Sequence, residues 1–473
     1  MMTSSRFVLC VSLLVSACAA VPTGEDATSA VVPVSMPQNW STATATLAQA
    51  QAFDRDWWLQ FKAPPLMELL KEAESSAPDL RIAMERIRLA SIALKQSRAA
   101  ELPTVNATAN TTSRNNRAEG FSSTSNDNSN LGVSLSYELD LFGRLDAQTR
   151  AREADFSATR YDWQTARLAL LTSVASTYFQ WLQTDARIRL AVEQQAVAQR
   201  ILAVAQARQR YGVATQIDVM QQQAVVLSQE IALGNLRFQQ QQLASALALL
   251  LGRIPQGYAP ALFEFTQVSV PVVPASLPSI LLTRRPDLGS AEAALVAASA
   301  NIDAARAALM PSLSLTGSYG LSSSILVGMA DPVQSVGLGL SLMKVLFDGG
   351  QQDLQIQSQQ TQRAILVETY AKAIRAALKE VEDGLGNVEL TARQTVLQET
   401  QVDLAQRSLR LAELRYREGA GDFLTVLESQ RALFSAQDQQ LISQAARLQA
   451  SIDLFKSLGG DWSTLPELDQ STR

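Results

Sequence analysis

Forty-five carboxylates but no histidine set the first limit on the chemistry open to this 473-residue chain. The absence removes the usual general base near neutral pH, the Ser-His-Asp arrangement and the commonest metal ligand together. Paired carboxylates can hydrolyse glycosides without an imidazole, so composition alone leaves that reaction class open. A carboxylate hydrolase needs a compact cleft domain, however, and the repeating helix–strand pattern below holds none. No catalytic residue, no metal site and no cofactor are therefore expected. A net charge of −5, with 18% charged residues, offers no basic patch to nucleic acid, and a hydrophobic share of 47% requires a folded protein.

The thiols are Cys10 and Cys18. Residues 1–17 begin with Arg6 in a short basic region and continue through the apolar run Phe7 to Val15, too short to span a bilayer as a helix. This reads as a secretory signal. Val15-Ser16-Ala17-Cys18 resembles a bacterial lipobox, where small residues precede a cysteine that is acylated and becomes the mature N-terminus; Val15 stands where Leu is more usual. The alternative is a plain signal peptide cut elsewhere, with Cys18 incidental. On the lipobox reading Cys10 is removed and Cys18 blocked, so no internal disulfide forms even in an oxidising compartment. Ala19, rather than Asp, follows the cysteine, which makes the outer membrane the default address. No later segment reaches the roughly 18 apolar residues of a spanning helix, so any membrane crossing falls to strands.

The elements around these residues come twice. Pro78-Asp79-Leu80 recurs as Pro286-Asp287-Leu288, and Leu102-Pro103-Thr104 as Met310-Pro311-Ser312, both at an offset of 208. Leu141-Phe142 returns as Leu346-Phe347, and Arg208, Gly212, Ile217 and Val219 return as Arg415, Gly419, Leu424 and Val426. Ordered landmarks at nearly constant offset indicate a tandem duplication. The expected division is a signal over 1–17, a lipidated tether over 18–56, a first repeat over 57–252, a Pro-rich linker over 253–285, a second repeat over 286–460 and a tail over 461–473.

Each repeat reads helix, two strands, long helix, helix. Helices are expected over Asp79–Glu101 and Asp287–Leu309, each opened by Pro-Asp and stopped before a proline. Period-two alternation follows: Val105, Ala107 and Ala109, then Leu131, Val133, Leu135, Tyr137 and Leu139, with the polar run Ser113–Asn130 between them. Leu313 to Leu321 and Val336 to Leu342 repeat the pattern. Strands of about 9–11 residues, apolar on one face only, fit a transmembrane barrel, and a half-buried soluble sheet fits the alternation equally. Because bacterial barrels close with at least about 8 strands, four per chain would require several chains in one barrel.

Helical pattern resumes near Leu145 and runs to Tyr211, roughly 100 Å at about 1.5 Å per residue. Leu190, Val197, Val204 and Tyr211 fall seven apart, as do Leu390, Leu397, Leu404 and Leu411, the spacing of left-handed coiled-coil packing. A second helix is expected over Thr215–Leu251. A generic coiled-coil rod accounts for the heptads as well and fails only on the inserted strands.

Three segments carry a resemblance: Leu282-Thr283-Arg284-Arg285-Pro286-Asp287-Leu288 with Ala291-Glu292, Met310-Pro311-Ser312-Leu313-Ser314-Leu315-Thr316-Gly317-Ser318, and Glu138-Leu139-Asp140-Leu141-Phe142-Gly143-Arg144. With the duplication, these resemble the TolC-like outer-membrane factor family, in particular the lipoprotein branch serving resistance-nodulation-division efflux pumps. Phe142 replaces a more familiar Trp. The resemblance implies a homotrimer in which twelve strands form one barrel and twelve helices a periplasmic α-barrel. It implies a passive gated duct for small molecules such as drugs, with a periplasmic adaptor (membrane fusion) protein and an inner-membrane pump as partners and outer-membrane lipid around the strands. A same-fold channel for a protein-secretion or metal-cation exporter is the alternative. The turns Arg208–Val219 and Arg415–Val426 would be the periplasmic tips, where Gly212, Gly419, Ile217, Val219 and Val426 would meet the adaptor. The gate would lie at the second tip, with Leu424 as apolar constriction and Glu428, in place of a more usual Asp, as carboxylate. Arg431 would pair with Glu428, and Tyr416 and Arg417 would bridge protomers. An ordinary helical pair at i and i+3 accounts for Glu428 and Arg431 without the family.

Overall fold

The structure, a computed structural model, describes residues 37, 40–41, 57–116, 124–271, 281–325 and 329–460. The signal segment, Cys18 and the tail 461–473 lie outside the described residues.

In chain order, α1 (Pro64–Ser76), α2 (Pro78–Ala100), β1 (Thr104–Asn116), β2 (Thr124–Leu139), α3 (Arg144–Arg210) and α4 (Gln216–Leu250) make the first half. The second half has α5 (Leu281–Arg284), α6 (Pro286–Ala307), β3 (Ser312–Ser323), β4 (Val333–Met343), α7 (Gln351–Arg417) and α8 (Phe423–Ser457). α3 and α7 are both 67 residues long, α4 and α8 both 35, so the halves match element for element. No described helix is long and apolar enough to cross a membrane.

The chain divides into two compact units. The first, including 86–159 and 290–371, holds the sheet, in which β1, β2, β3 and β4 pair antiparallel in that order. Register aligns like with like. Val105, Leu135, Gly317 and Leu338 form one cross-strand row and Ala107, Val133, Tyr319 and Val336 the next. Between them lies Asn106, Ser134, Ser318 and Gly337, on the opposite face. Leu338 is 81% exposed, and Val336, Leu340 and Leu342 are similarly bare, so nothing in the described chain covers the apolar face. A soluble sheet would bury that face; this one presents it outward.

β1, β2 and β3 overrun the expected length, at 13, 16 and 12 residues, while β4 keeps to it at 11. Most of Ser113–Asn130, expected as a connection, is strand. There both faces are polar and alternation vanishes, yet the ladder continues: the Thr111 and Ser129 hydroxyls lie 2.9 Å apart, and Ser113 Oγ donates to Asp127 Oδ1 at 2.7 Å. At the other end of β2, Arg144 holds both Glu138 oxygens at 2.8 and 2.9 Å. Asp140 accepts from the backbone N–H of Arg144 and Asp146, which caps α3. That accounts for the three charged residues of the Glu138–Arg144 motif.

The second unit buries Trp57, Trp58 and Phe61 against α1, α3, α4 and α8. α1 escaped the sequence reading although Leu66, Leu69, Leu70 and Ala73, all buried, keep helical spacing behind Pro64 and Pro65. α4 and α8 end on Gly252 and Gly459, both left-handed at φ 71° and 94°. A β-carbon at Gly459 would sit 2.6 Å from Arg284 O, whereas at Gly419 (φ 76°) it would meet nothing within 4 Å. Gly419→Ala is therefore expected to cost only the left-handed strain, about 1–2 kcal/mol. Gly459→Ala should lower the thermal unfolding midpoint clearly further, and equal midpoints would refute the close approach.

Candidate gate at the helix tips

Both long helices stop in the same way. Gly212 N–H donates to Gln209 O and Val213 N–H to Arg208 O, each at 2.9 Å. Gly419 and Ala420 make the same pair of bonds to Tyr416 and Arg415, at 3.2 and 2.9 Å. Each is a helix stop that needs a left-handed residue, and Gly212 (φ 75°) and Gly419 supply it. The next helix restarts at once. Thr215 Oγ1 accepts from Asp218 N–H while the Asp218 carboxylate accepts from Thr215 N–H, and Asp422 accepts from Thr425 N–H at 2.7 Å. That backbone hydrogen bond holds the Asp422 carboxyl below the usual carboxylate range, so its capping is complete above that range and lost as pH falls through the lowered value.

Four helices meet in one core behind the tips: Ala198, Ile201 and Ala205 from α3, Val219 and Val225 from α4, Leu409, Ala412 and Tyr416 from α7, and Phe423, Val426, Leu427 and Leu433 from α8. Tyr416 is only 8% exposed, its ring 5.4 Å from that of Phe423. Arg208 covers it: the guanidinium lies 4.3 Å over the ring, and Nη1 donates to Tyr416 O at 2.9 Å. Burial pushes the Tyr416 phenol up, with the nearby Arg208 charge opposing. This clasp joins the end of α3 to the end of α7. Arg208 and Tyr416 stand 208 positions apart, and no local pattern pairs them.

The structure sorts the expected residues into two sets. Val219 and Val426 are buried in the tip core, so they shape it from within and do not present a side chain outward. Ile217 is 65% exposed, and Tyr211, Val213 and Met220 surround the first turn as further exposed apolar side chains. Gly212 and Gly419 are exposed. On the second tip Leu424 is 54% exposed, and Glu428 and Arg431 follow on α8, both exposed. Spacings of four and three place these three residues along one face of the helix. No ion pair joins Glu428 to Arg431 among the described residues. Arg417 is exposed as well.

A sheet with a bare apolar face, two unpaired edges and a polar opposite face, on one chain with paired long helices, defines the building block of a strand-and-helix membrane channel. Residues 69–253 and 277–460 match the family described as outer membrane efflux protein, and the chain belongs to that family. It is 35% identical to the pyoverdine export outer membrane protein OpmQ of Pseudomonas putida, over 93% of this chain and 94% of that one. To the solvent efflux pump outer membrane protein SrpC of Pseudomonas putida it is 34% identical, over 85% and 87%. The solved outer-membrane channel OprN shares the fold with a TM-score of 0.81 at 24% identity, covering 91% of this chain and 98% of that one. The protein is thus the outer-membrane component of an efflux pump, a channel and not an enzyme.

Proposed function

We propose that three copies of this chain form one lipid-anchored exit duct, closed at the second helix tip, that releases small organic molecules delivered by an inner-membrane pump through a periplasmic adaptor. The observation that carries the reading is a pair of unused apolar seams. On α7, Leu390, Leu397, Leu404 and Leu411 are all exposed; on α4, so are Met220, Leu227, Ile231 and Phe238. Both keep heptad spacing, and among the described residues neither is covered by a helix of its own chain. Two different seams that fit each other make a head-to-tail contact, which closes into a ring when the rotation allows. Three copies also give the four-stranded sheet the neighbours its outer edges lack.

The solute class rests on the relatives, named for export of pyoverdine and of solvents. Between Thr104 and Asn110 the polar sheet face and its cross-strand partners carry Ser, Thr, Asn and Gly with Val333 at one end, a stretch that holds no charged side chain. Cys18 carries the acyl anchor in this reading. Ile217, with Gly212 and Gly419 shaping the turns, meets the adaptor. Leu424 occludes the axis, Glu428 adds a ring of negative charge with which Arg431 pairs, and Arg417 bridges protomers, while Tyr416 lies buried in the tip core.

The test is mass analysis and planar-bilayer conductance of the detergent-extracted protein. Acylated trimers with small, mostly closed, cation-leaning channels are expected; folded monomers without conductance would end the reading. Replacing Leu424 and Glu428 by Ala is expected to raise single-channel conductance, and unchanged conductance in intact trimers would remove both from the gate.

A further inference from the structure

The stretch before the first helix meets the last turns of α8 at two places. Trp40, 7% exposed, sits among Leu281 of α5, Val381 of α7 and Leu454 and Leu458 of α8. Ser41 fixes it there: its backbone N–H donates to Glu382 Oε2 at 3.3 Å, and its hydroxyl donates to Oε1 of the same carboxylate. Trp57 stacks face to face on Phe455, the residue after Leu454, with ring centres 3.9 Å apart and planes 2° from parallel. Capping does not require either contact, because Gly459 and Gly460 already close α8 through N–H bonds of 3.0 Å to Lys456 O and Phe455 O. Trp40 is also surrounded by Gln38, Asn39, Ser41 and Thr42, so it is a lone large apolar side chain in a polar stretch. A buried Trp there is an anchor, not part of a periodic face.

α8 is the helix whose first turns carry Leu424 and Glu428. About 30 residues separate Leu424 from Leu454, roughly 45 Å of helix at about 1.5 Å per residue. A tilt of about 3° at the Leu454 end would move the far end by about 2 Å, enough to change a narrow constriction.

We infer that Trp40 is a positioning residue for the gate: it locks the root of α8 to α7 and α5, and so sets how far the opposite end of α8 can swing. This rests on the reading of Leu424 and Glu428 as the gate. Removing the indole frees the root and shifts the tip toward the conducting state; tying the segment down does the reverse.

Single-channel recording of the full-length trimer tests this with Trp40→Ala, with Trp40→Phe, and with the pair Ser41→Cys and Glu382→Cys placed in the Trp40→Ala background. Trp40→Ala is expected to raise occupancy of the conducting state on the order of tenfold, the response to about 1.4 kcal/mol in a two-state equilibrium. Trp40→Phe should restore most of the closed occupancy. The oxidised cysteine pair should return the Trp40→Ala channel to closure, and reductant should release it again. If Trp40→Ala trimers melt earlier but conduct like wild type, and the Leu424 and Glu428 variants still open, Trp40 is structural only and the inference is overturned while the gate stands. If the Leu424 and Glu428 variants conduct like wild type too, the gate reading fails and takes the inference with it.

Discussion

Replacing Leu397 and Leu404 together by Glu is expected to convert the extracted trimer to monomer and to abolish conductance. Both side chains are exposed on α7 and lie one heptad apart in the middle of its seam. A leucine buried on assembly contributes about 1.5–3 kcal/mol, so two per interface is a loss of roughly 3–6 kcal/mol before the charges are counted. Carboxylates placed opposite Leu227 and Ile231 would in addition be desolvated without a partner. Three interfaces in a ring multiply the effect. Because the seam touches no core of its own chain, the monomer should keep its helical content by circular dichroism, and Leu404→Ala alone should give a weaker trimer. A doubly substituted protein that remains a conducting trimer would show that the α7 seam faces something else.

Arg208→Ala is expected to open the duct without disturbing assembly. The guanidinium ties α3 to α7 by a charged hydrogen bond to Tyr416 O and by its place 4.3 Å over the ring. The first is worth about 1.5–3 kcal/mol and the second about 0.5–1 kcal/mol at a partly exposed site. Losing about 2 kcal/mol from the closed arrangement alone would raise the open share by up to about 30-fold. Arg208→Lys keeps the charge but not the planar fork, and should fall between. Conductance is the measurement. Wild-type closure in Arg208→Ala trimers would mean that the α3–α7 clasp survives opening.

Much of this was legible in residue order. Pro-Asp at 78 and 286 marked two helix starts, and Gly212 and Gly419 marked two helix ends, because each residue type answers a local backbone demand. Period-two alternation over Leu131–Leu139 located β2, but the signal failed over Thr124–Asn130, where both faces are polar and the backbone ladder and polar cross-strand pairs hold the strand. Heptads at Leu390–Leu411 announced a coiled coil and could not say with which helix, since spacing records a face and not its partner. The exposure of those leucines shows only that the face stays uncovered among the described residues. Tyr416, expected to bridge protomers, is instead buried in the tip core, which its local sequence does not announce. Its neighbours Arg415 and Arg417 are charged, and part of what buries it, Arg208 and the α3 and α4 side chains of the tip core, comes from the other half of the chain. Trp40 gave no signal because the residues on either side of it have no period.

The open edges of the sheet bear on how the protein is made. Among the described residues β1 and β4 each have one neighbour, so a solitary copy entering hydrocarbon would carry two rows of unpaired backbone amides with it, at several kcal/mol for each group left bare. In the proposed trimer, copies would therefore find one another before or during insertion. Pore formation should then rise more steeply than linearly with the amount of chain exported, while copies that arrive too sparsely wait with ladder edges and apolar faces uncovered, prey to aggregation and proteolysis. Gene dosage, and not the folding rate of one chain, would set how many ducts a cell completes.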